Sequence, residues 1–111
     1  MNKIIGGKLY DTEKADLLIS AGNGLSGSDF RYFSEDLYIT KKGNFFIHGE
    51  GGPLTKYVVE SGSRRNGSED IFVLDKKDVL NWLEENSKYI SKSELKEILP
   101  LIKNKIEIEE A

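Results

Sequence analysis

The pattern of apolar and polar residues is clearest over residues 30–48, where it predicts a β-hairpin. Aromatic and β-branched residues suit a pleated, half-buried surface. The segment Thr40–Gly43 is typical of a hairpin connection that closes with a glycine at positive φ. Because this turn sets the register, it places four apolar side chains on one face of the hairpin. The paired residues are Ile39 with Phe45, and Leu37 with Ile47.

The opposite face of the same hairpin carries Tyr38, Phe46 and His48. Side chains alternate between the two faces of a strand. Since the first face holds the core, we expect Tyr38 and Phe46 to point outward and Phe46→Ala to cost much less stability than Phe45→Ala.

The N-terminal residues predict a small hairpin followed by a helix. Ile4-Ile5 and Lys8–Tyr10 flank the glycine pair Gly6-Gly7, which suits a tight turn between two strands. After Asp11, which can cap a helix, apolar residues recur at helical spacing. The pattern therefore predicts one short amphipathic helix over residues 12–21.

The middle of the chain is rich in turn-forming residues. Gly49–Pro53 predicts a flexible break after the hairpin, and Ser61–Ser68 predicts a polar, mobile surface loop. Between them, Leu54–Val59 fits either a strand or a helical turn. The short apolar run Ile71–Leu74 predicts a strand buried on both faces.

Two helices are expected in the last third of the chain. Asp75 and Asp78 start the first helix, whose inward stripe is Val79, Trp82 and Leu83. The second helix starts at the capping box Ser91–Glu94, and its apolar stripe is Leu95, Ile98, Leu99, Ile102 and Ile106. Pro100 lies inside this stripe and predicts a kink or a restart. The tail Ile106–Glu110 fits either frayed helix or a terminal strand.

These elements follow the order β-β-α-β-β-loop-β-α-α, which is typical of an α+β domain. We expect an antiparallel sheet packed with short helices in a core of residues 1–86. Residues 87–111 are expected to form a C-terminal helical extension of the same domain.

Composition narrows the class of protein. With 38% apolar and 32% charged residues, the chain has enough hydrophobic material for a core and enough charge for solubility. No apolar run is long enough to span a bilayer and no signal-peptide core is present, so a cytoplasmic location is expected. There is no cysteine and only one histidine, which argues against disulfides, thiol nucleophiles and zinc sites. No cofactor or metal is predicted.

The formal net charge of −3 is neither the dense basic stripe of a nucleic-acid-binding domain nor the strong acidity of a DNA mimic. A protein partner is the simplest expectation.

Two candidate sites lie at the end of the central hairpin. The glycines of Gly49–Gly52 superficially resemble a phosphate-binding loop, but they lack its spacing and its Lys-Ser/Thr ending. A turn that requires positive φ explains them better. His48 and Glu50 share a strand face and suit a general base with its orienting carboxylate, yet nothing else in the chain completes a catalytic set. We therefore expect the protein not to be an enzyme.

Two further segments suggest binding. Lys41–Ile47 places aromatics beside Lys-Gly, as in RNA-binding strands that stack bases, although half of such aromatics belong to a core. Arg64-Arg65 is the basic doublet of the predicted mobile loop and suits an interface, because arginine stacks and forms bidentate bonds. A solvated loop tip is the alternative.

Three segments resemble a group of small proteins from phages and mobile elements of low-GC bacteria. The opening Gly7–Ala15, the central segment Leu37–Tyr57, and Asp70-Ile71 together with Trp82–Glu84 carry the resemblance. It covers residues 1 to about 86, whereas residues 87–111 look like an addition that short members of the group lack. Some members of the group are anti-CRISPR proteins and others have no assigned role.

The resemblance implies an inhibitor that binds a CRISPR effector protein and blocks nucleic-acid binding or activation. The alternative is a nucleic-acid-binding or regulatory protein of a mobile element. If the protein is such an inhibitor, we expect partner-binding residues on the outward hairpin face, the glycine segment and the arginine loop. They are Tyr38, Phe46, Glu50, Tyr57, Arg64 and Arg65.

Overall fold

The computed structural model describes residues 1–111 and is an α+β fold of eight strands and two α-helices. The strands are β1 (Asn2–Ile5), β2 (Lys8–Asp11), β3 (Asp16–Gly22), β4 (Phe33–Ile39), β5 (Phe45–Gly51), β6 (Val59–Ser61), β7 (Arg64–Asn66) and β8 (Ser68–Leu74). The helices are α1 (Lys76–Glu85) and α2 (Lys92–Ile106), joined through a short 3-10 turn at Ser87–Tyr89.

The central element is a four-stranded antiparallel sheet in the order β3-β4-β5-β8. The β4–β5 register pairs Ile39 with Phe45, which confirms the predicted hairpin. Its turn is also confirmed, because Gly43 has a φ of 87° and the amide of Thr40 donates to the carbonyl of Asn44 at 2.8 Å.

The two helices cover one face of this sheet, which we call the helix face. Both predicted caps form: Asp75 Oδ1 accepts from the amide of Asp78 at 2.8 Å, and Ser91 Oγ accepts from the amide of Glu94 at 3.2 Å. The main core lies between the helices and the sheet. Its buried residues are Ile19, Ala21, Leu37, Ile39, Phe45, Ile47, Val79, Trp82, Ile98, Ile102 and Ile106.

The C-terminal residues belong to this core. Helix α2 runs without interruption through Pro100, so the expected restart is absent. Its isoleucines at 98, 102 and 106 face the sheet while Pro100 faces solvent. Glu107 then ends the helix with a φ of 55°, so the tail does not continue as a terminal strand.

The β1–β2 hairpin covers part of the opposite sheet face, which we call the hairpin face. As predicted, its turn is Gly6-Gly7, with φ values of 59° and 77°. A second, smaller cluster of Tyr10, Phe46 and Ile71 is buried between this hairpin and the sheet.

The predicted helix over residues 12–21 is wrong, because this segment supplies strand β3. Asp11 instead closes a turn by accepting the amide of Glu13 at 2.9 Å. The pairing with β4 shifts between Leu17 and Ile19, which indicates a bulge. A bulge interrupts the alternation of a strand. The adjacent apolar residues Leu18 and Ile19 therefore do not follow the period of two that would have indicated a strand.

The expectations for residues 49–74 need three further corrections. Gly49–Gly51 is the paired end of β5 rather than a flexible break, and most of Ser61–Ser68 is the β6–β7 hairpin rather than an irregular loop. Strand β8 lies at the sheet edge, where Phe72 and Val73 are each 40% exposed, so it is not buried on both faces. Residues 54–58 form turns before β6 begins.

Candidate functional site

The glycines at the end of β5 make room for the ring of Tyr57. A Cβ atom on Gly49 would overlap the Tyr57 side chain, and one on Gly51 would lie 2.8 Å from its Cδ2 atom. Neither glycine has positive φ, so the predicted turn is not the reason for them. They are required because another side chain packs directly on the strand backbone.

Tyr57 is only 3% exposed, so its side chain does not lie on the surface where a partner contact was expected. Its hydroxyl donates to Glu35, a β4 side chain on the helix face that is only 3% exposed. Trp82 Nε1 donates to the other carboxylate oxygen at 3.0 Å, and Lys56 Nζ lies 2.7 Å from Glu35. Burial needs such compensation, because an unpaired buried carboxylate is strongly destabilising.

The environment of this carboxylate favours its charged form. Burial is the largest influence and opposes ionisation, but hydrogen bonds from Lys56, Tyr57 and Trp82 together outweigh it, so the pKa of Glu35 lies below its ordinary value. Burial and the bond to Glu35 raise the pKa of Tyr57. The cluster thus ties α1 and the segment before β6 to the sheet.

Phe46 is also buried rather than outward-facing as expected, because it is 0% exposed. Tyr10 of the β1–β2 hairpin meets its ring edge-on with centroids 5.6 Å apart, and Tyr38 stacks on it at 5.1 Å. Tyr38 itself is partly buried, and burial followed by the charge of Asp36 raises its pKa. The outward face that was expected here is covered by the N-terminal hairpin.

The stacking of bases on the aromatic residues of Lys41–Ile47 is excluded for the same reason. Phe45 packs in the helix-face core and Phe46 under the β1–β2 hairpin, so neither ring is available to stack a base. The lysines of that segment remain exposed.

His48 and Glu50 do not pair with one another. His48 Nε2 lies 3.0 Å from Glu69 Oε2 across the β5–β8 pair, whereas Glu50 accepts a hydrogen bond from the Tyr32 hydroxyl at 2.6 Å. That bond is the main cause of a raised pKa for Tyr32. No group of three or more histidine, cysteine or acidic side chains is placed to hold a metal ion.

Two of the expected residues, Glu50 and Arg65, line one cleft of about 720 Å³. We call it the glycine cleft, because Gly27, Gly51, Gly52 and Gly67 form much of its wall. Arg65 Nε is held 3.3 Å from Glu60 Oε1, its cross-strand neighbour. Arg64 is exposed on the same hairpin and has no ion-pair partner.

Sequence reasoning missed two apolar side chains beside this cleft. Phe30 is 64% exposed and Leu54 is 55% exposed, and the amide of Leu54 donates to the carbonyl of Phe30 at 2.8 Å. Phe30 was placed in the strand pattern and Leu54 in an undecided segment. The available signal was their position directly after Ser28-Asp29 and Pro53, which are turn residues.

Neither helix combines the length and the apolar character that crossing a membrane requires. No protein-family model, curated protein or solved structure matches this chain.

Proposed function

We propose that this protein is an anti-CRISPR inhibitor that acts by binding the protein surface of a CRISPR effector. Two independent features support the proposal: the resemblance carried by Gly7–Ala15 and Leu37–Tyr57, and the exposed surface around the glycine cleft. The second feature indicates where on the protein the contact lies.

The proposed contact surface consists of Phe30, Leu54, Glu50, Arg64 and Arg65, and we call it the glycine-end surface. Its central observation is the pair of large apolar side chains, 64% and 55% exposed, that a backbone hydrogen bond holds close together, with Phe30 lining the same cleft as Arg65. Aromatic residues and arginine are enriched in protein interfaces and among the residues that contribute most affinity. Large exposed apolar groups of this kind favour a partner over bulk solvent.

The base of the arginine hairpin is well fixed. Tyr57 is buried just before β6, and Ser68 Oγ, just after β7, donates to the Tyr57 carbonyl at 2.6 Å. This bond joins the two ends of the hairpin. A surface that is already ordered loses less conformational entropy on binding, which supports a role for the hairpin as a contact element.

In the proposed mechanism, the protein inhibits the effector by occupying part of its surface and catalyses no reaction. The only histidine is engaged with Glu69, and Glu50 with Tyr32, so the acid-base pair considered from the sequence is not assembled. Purified protein incubated with guide RNA and target DNA, with and without divalent metal, is expected to leave both intact. Cleavage that is lost in His48→Ala would contradict this mechanism.

The test is a pull-down of effector complexes from low-GC bacteria, performed with and without guide RNA. The double variant Phe30→Ala/Arg64→Glu should lose at least about tenfold in affinity, since residues central to an interface cost more than about 1 kcal/mol each when truncated. Its stability should change little, because both side chains are exposed. The control is Leu101→Ala/Lys92→Glu, which makes the same kinds of change on exposed positions of α2.

Equal losses in the two double variants would place the contact elsewhere. If no effector subunit co-purifies and interference in cells is unchanged, the anti-CRISPR proposal is wrong. A regulatory protein of a mobile element is then the leading interpretation.

A further inference from the structure

A second cleft, of about 640 Å³, lies at the opposite end of the central hairpin from the glycine cleft. It opens between the turn of the β1–β2 hairpin and the turn that joins β4 to β5. Its lining includes four lysines, and we call it the lysine cleft. They are Lys8, Lys14, Lys41 and Lys42.

The cleft keeps an excess of positive charge. Lys41 Nζ pairs with Asp16 at 2.9 Å, but Lys8, Lys14 and Lys42 have no ion-pair partner. Asp11 is the one carboxylate in the lining, and its charge offsets one of these lysines. Charges beyond about 10 Å are screened at ordinary salt, so the local excess of lysines outweighs the net charge of −3 for a ligand in the cleft.

The two hairpins that carry these lysines are held in place. The T-shaped contact between Tyr10 and Phe46 joins the N-terminal hairpin to the central sheet. The second turn is closed by bonds between Thr40 and Asn44, at 2.8 Å through the backbone and 3.0 Å through Thr40 Oγ1. The lysine stems therefore start from fixed backbone positions on both sides of one opening.

The residue types in the cleft distinguish between classes of anionic ligand. Lysine is a compact point charge that commonly binds phosphate. The lining contains no arginine, and its one aromatic residue, Tyr10, is buried. Lysine is also depleted in protein interfaces. The chemistry thus favours a phosphate ligand over an acidic protein surface, and it provides no exposed ring for base stacking.

We infer that the lysine cleft binds the phosphodiester backbone of single-stranded nucleic acid without reading its sequence. Lysines on two opposing walls of a cleft of about 640 Å³ suit successive phosphates of one strand, since single-stranded nucleic acid is bound in positively charged grooves that follow its backbone. The inference does not rest on the proposed anti-CRISPR function, which uses the other end of the sheet.

The test is fluorescence anisotropy of the full-length protein with labelled oligothymidine and oligouridine of about 15 nucleotides, a length that covers typical single-strand sites. Three unpaired lysines that each contact one phosphate predict a slope of about −2 in a plot of log K against log salt, and thus about a 20-fold loss between roughly 50 and 200 mM salt. Binding of both strands is expected, because DNA and RNA share the phosphate backbone.

The variant that tests the location is Lys8→Gln/Lys14→Gln/Lys42→Gln, which leaves the Lys41–Asp16 pair in place. The affinity should fall at least about tenfold and the slope should lose about 2 in magnitude, since three single-strand contacts are removed. The matched control is Lys77→Gln/Lys92→Gln/Lys96→Gln, which has the same net charge and alters exposed helix lysines. It should bind within about twofold of the parent protein, because these lysines are outside the cleft.

Amide shifts in NMR spectra of the unmodified protein give a readout that needs no variant. On addition of oligothymidine, the largest shifts should fall on Gly7, Lys8, Lys42 and Asn44. Absence of binding at low salt, equal losses in the two triple variants, or shifts confined to other residues would overturn the inference. Displacement of the oligonucleotide by polyglutamate at equal charge concentration would also overturn it, because the cleft would then select charge rather than phosphate.

Discussion

The two faces of the central sheet are built from the same alternating strands but are covered very differently. On the helix face, α1 and α2 bury a cluster of eleven residues. On the hairpin face, β1 and β2 cover only one end and bury three. Outside this cover, the hairpin face includes the polar residues Asp36, His48 and Glu69.

This difference shows that burial of a side chain depends on the covering layer as well as on strand alternation. Phe45 and Phe46 are neighbours in β5 and point to opposite faces, yet both are buried. An alternating pattern identifies which residues share a face. It does not identify which part of the second face another hairpin will cover.

Removal of α2 should have the largest effect on stability. A chain ending at residue 90 loses three buried isoleucines, worth about 5–9 kcal/mol by apolar burial, which is comparable with the whole stability of a small domain. We expect urea denaturation of this chain to show no cooperative transition. A transition close to that of the full-length protein would mean that the helix face does not dominate the fold.

Truncation of each phenylalanine compares the two faces directly. Phe46→Ala should cost about 3–5 kcal/mol, similar to Phe45→Ala, because both rings are buried. The midpoint of urea unfolding measures both. A cost for Phe46→Ala below about 1 kcal/mol would show that the β1–β2 hairpin leaves this face open in solution.

Glu35 and Asp36 allow the two sheet faces to be compared through polar side chains. Glu35→Gln should cost about 1–3 kcal/mol, since its bonds to donors from Tyr57 and Trp82 are weakened. Asp36→Asn, on the open hairpin face, should cost under about 0.5 kcal/mol.

The environment of Glu35 also predicts that the stability of the fold depends on pH. The folded pKa of Glu35 is lowered, so its stabilisation is fully present above the ordinary glutamate value of about 4.3 and is lost as the pH falls from there through the folded pKa. Acid titration of stability should therefore be less steep in this range for Glu35→Gln than for the parent protein. Identical titrations would contradict the assigned role of Glu35.

The effect expected at the hairpin turn is smaller than that of truncating either phenylalanine. Gly43→Ala should destabilise by about 1 kcal/mol, because a φ of 87° strains a residue with a Cβ atom while no neighbouring atom obstructs that Cβ. Thermal unfolding measures the change. A gain in stability would show that the turn between β4 and β5 does not require a residue with positive φ.

Local sequence signals predicted several elements correctly because the forces that define them act over a few residues. The Gly6-Gly7 turn, the register set by Gly43 and the capping box at Asp75 all depend on backbone geometry within one turn. The helix wrongly expected at residues 12–21 failed because a β-bulge and pairing with β4 overrode a weak local preference.

The glycine-end surface was only partly predictable. Glu50 and Arg65 were expected to contact a partner and do line one cleft, but Phe46 and Tyr57 proved to be core residues. Aromatic side chains carry the same sequence signal in a core and in an interface. Only the packing of other segments on them distinguishes the two.

By itself, the sequence determined the α+β class, the central hairpin with its register, and the positions of the two C-terminal helices, because turn chemistry and periodicity are local. The tertiary structure alone decided three other features: the cover over Phe46, the fit of Tyr57 against Gly49, and the gathering of four lysines around one cleft. Each of these brings together residues that are distant along the chain. Such contacts depend on the close packing of whole elements, which no short stretch of sequence encodes.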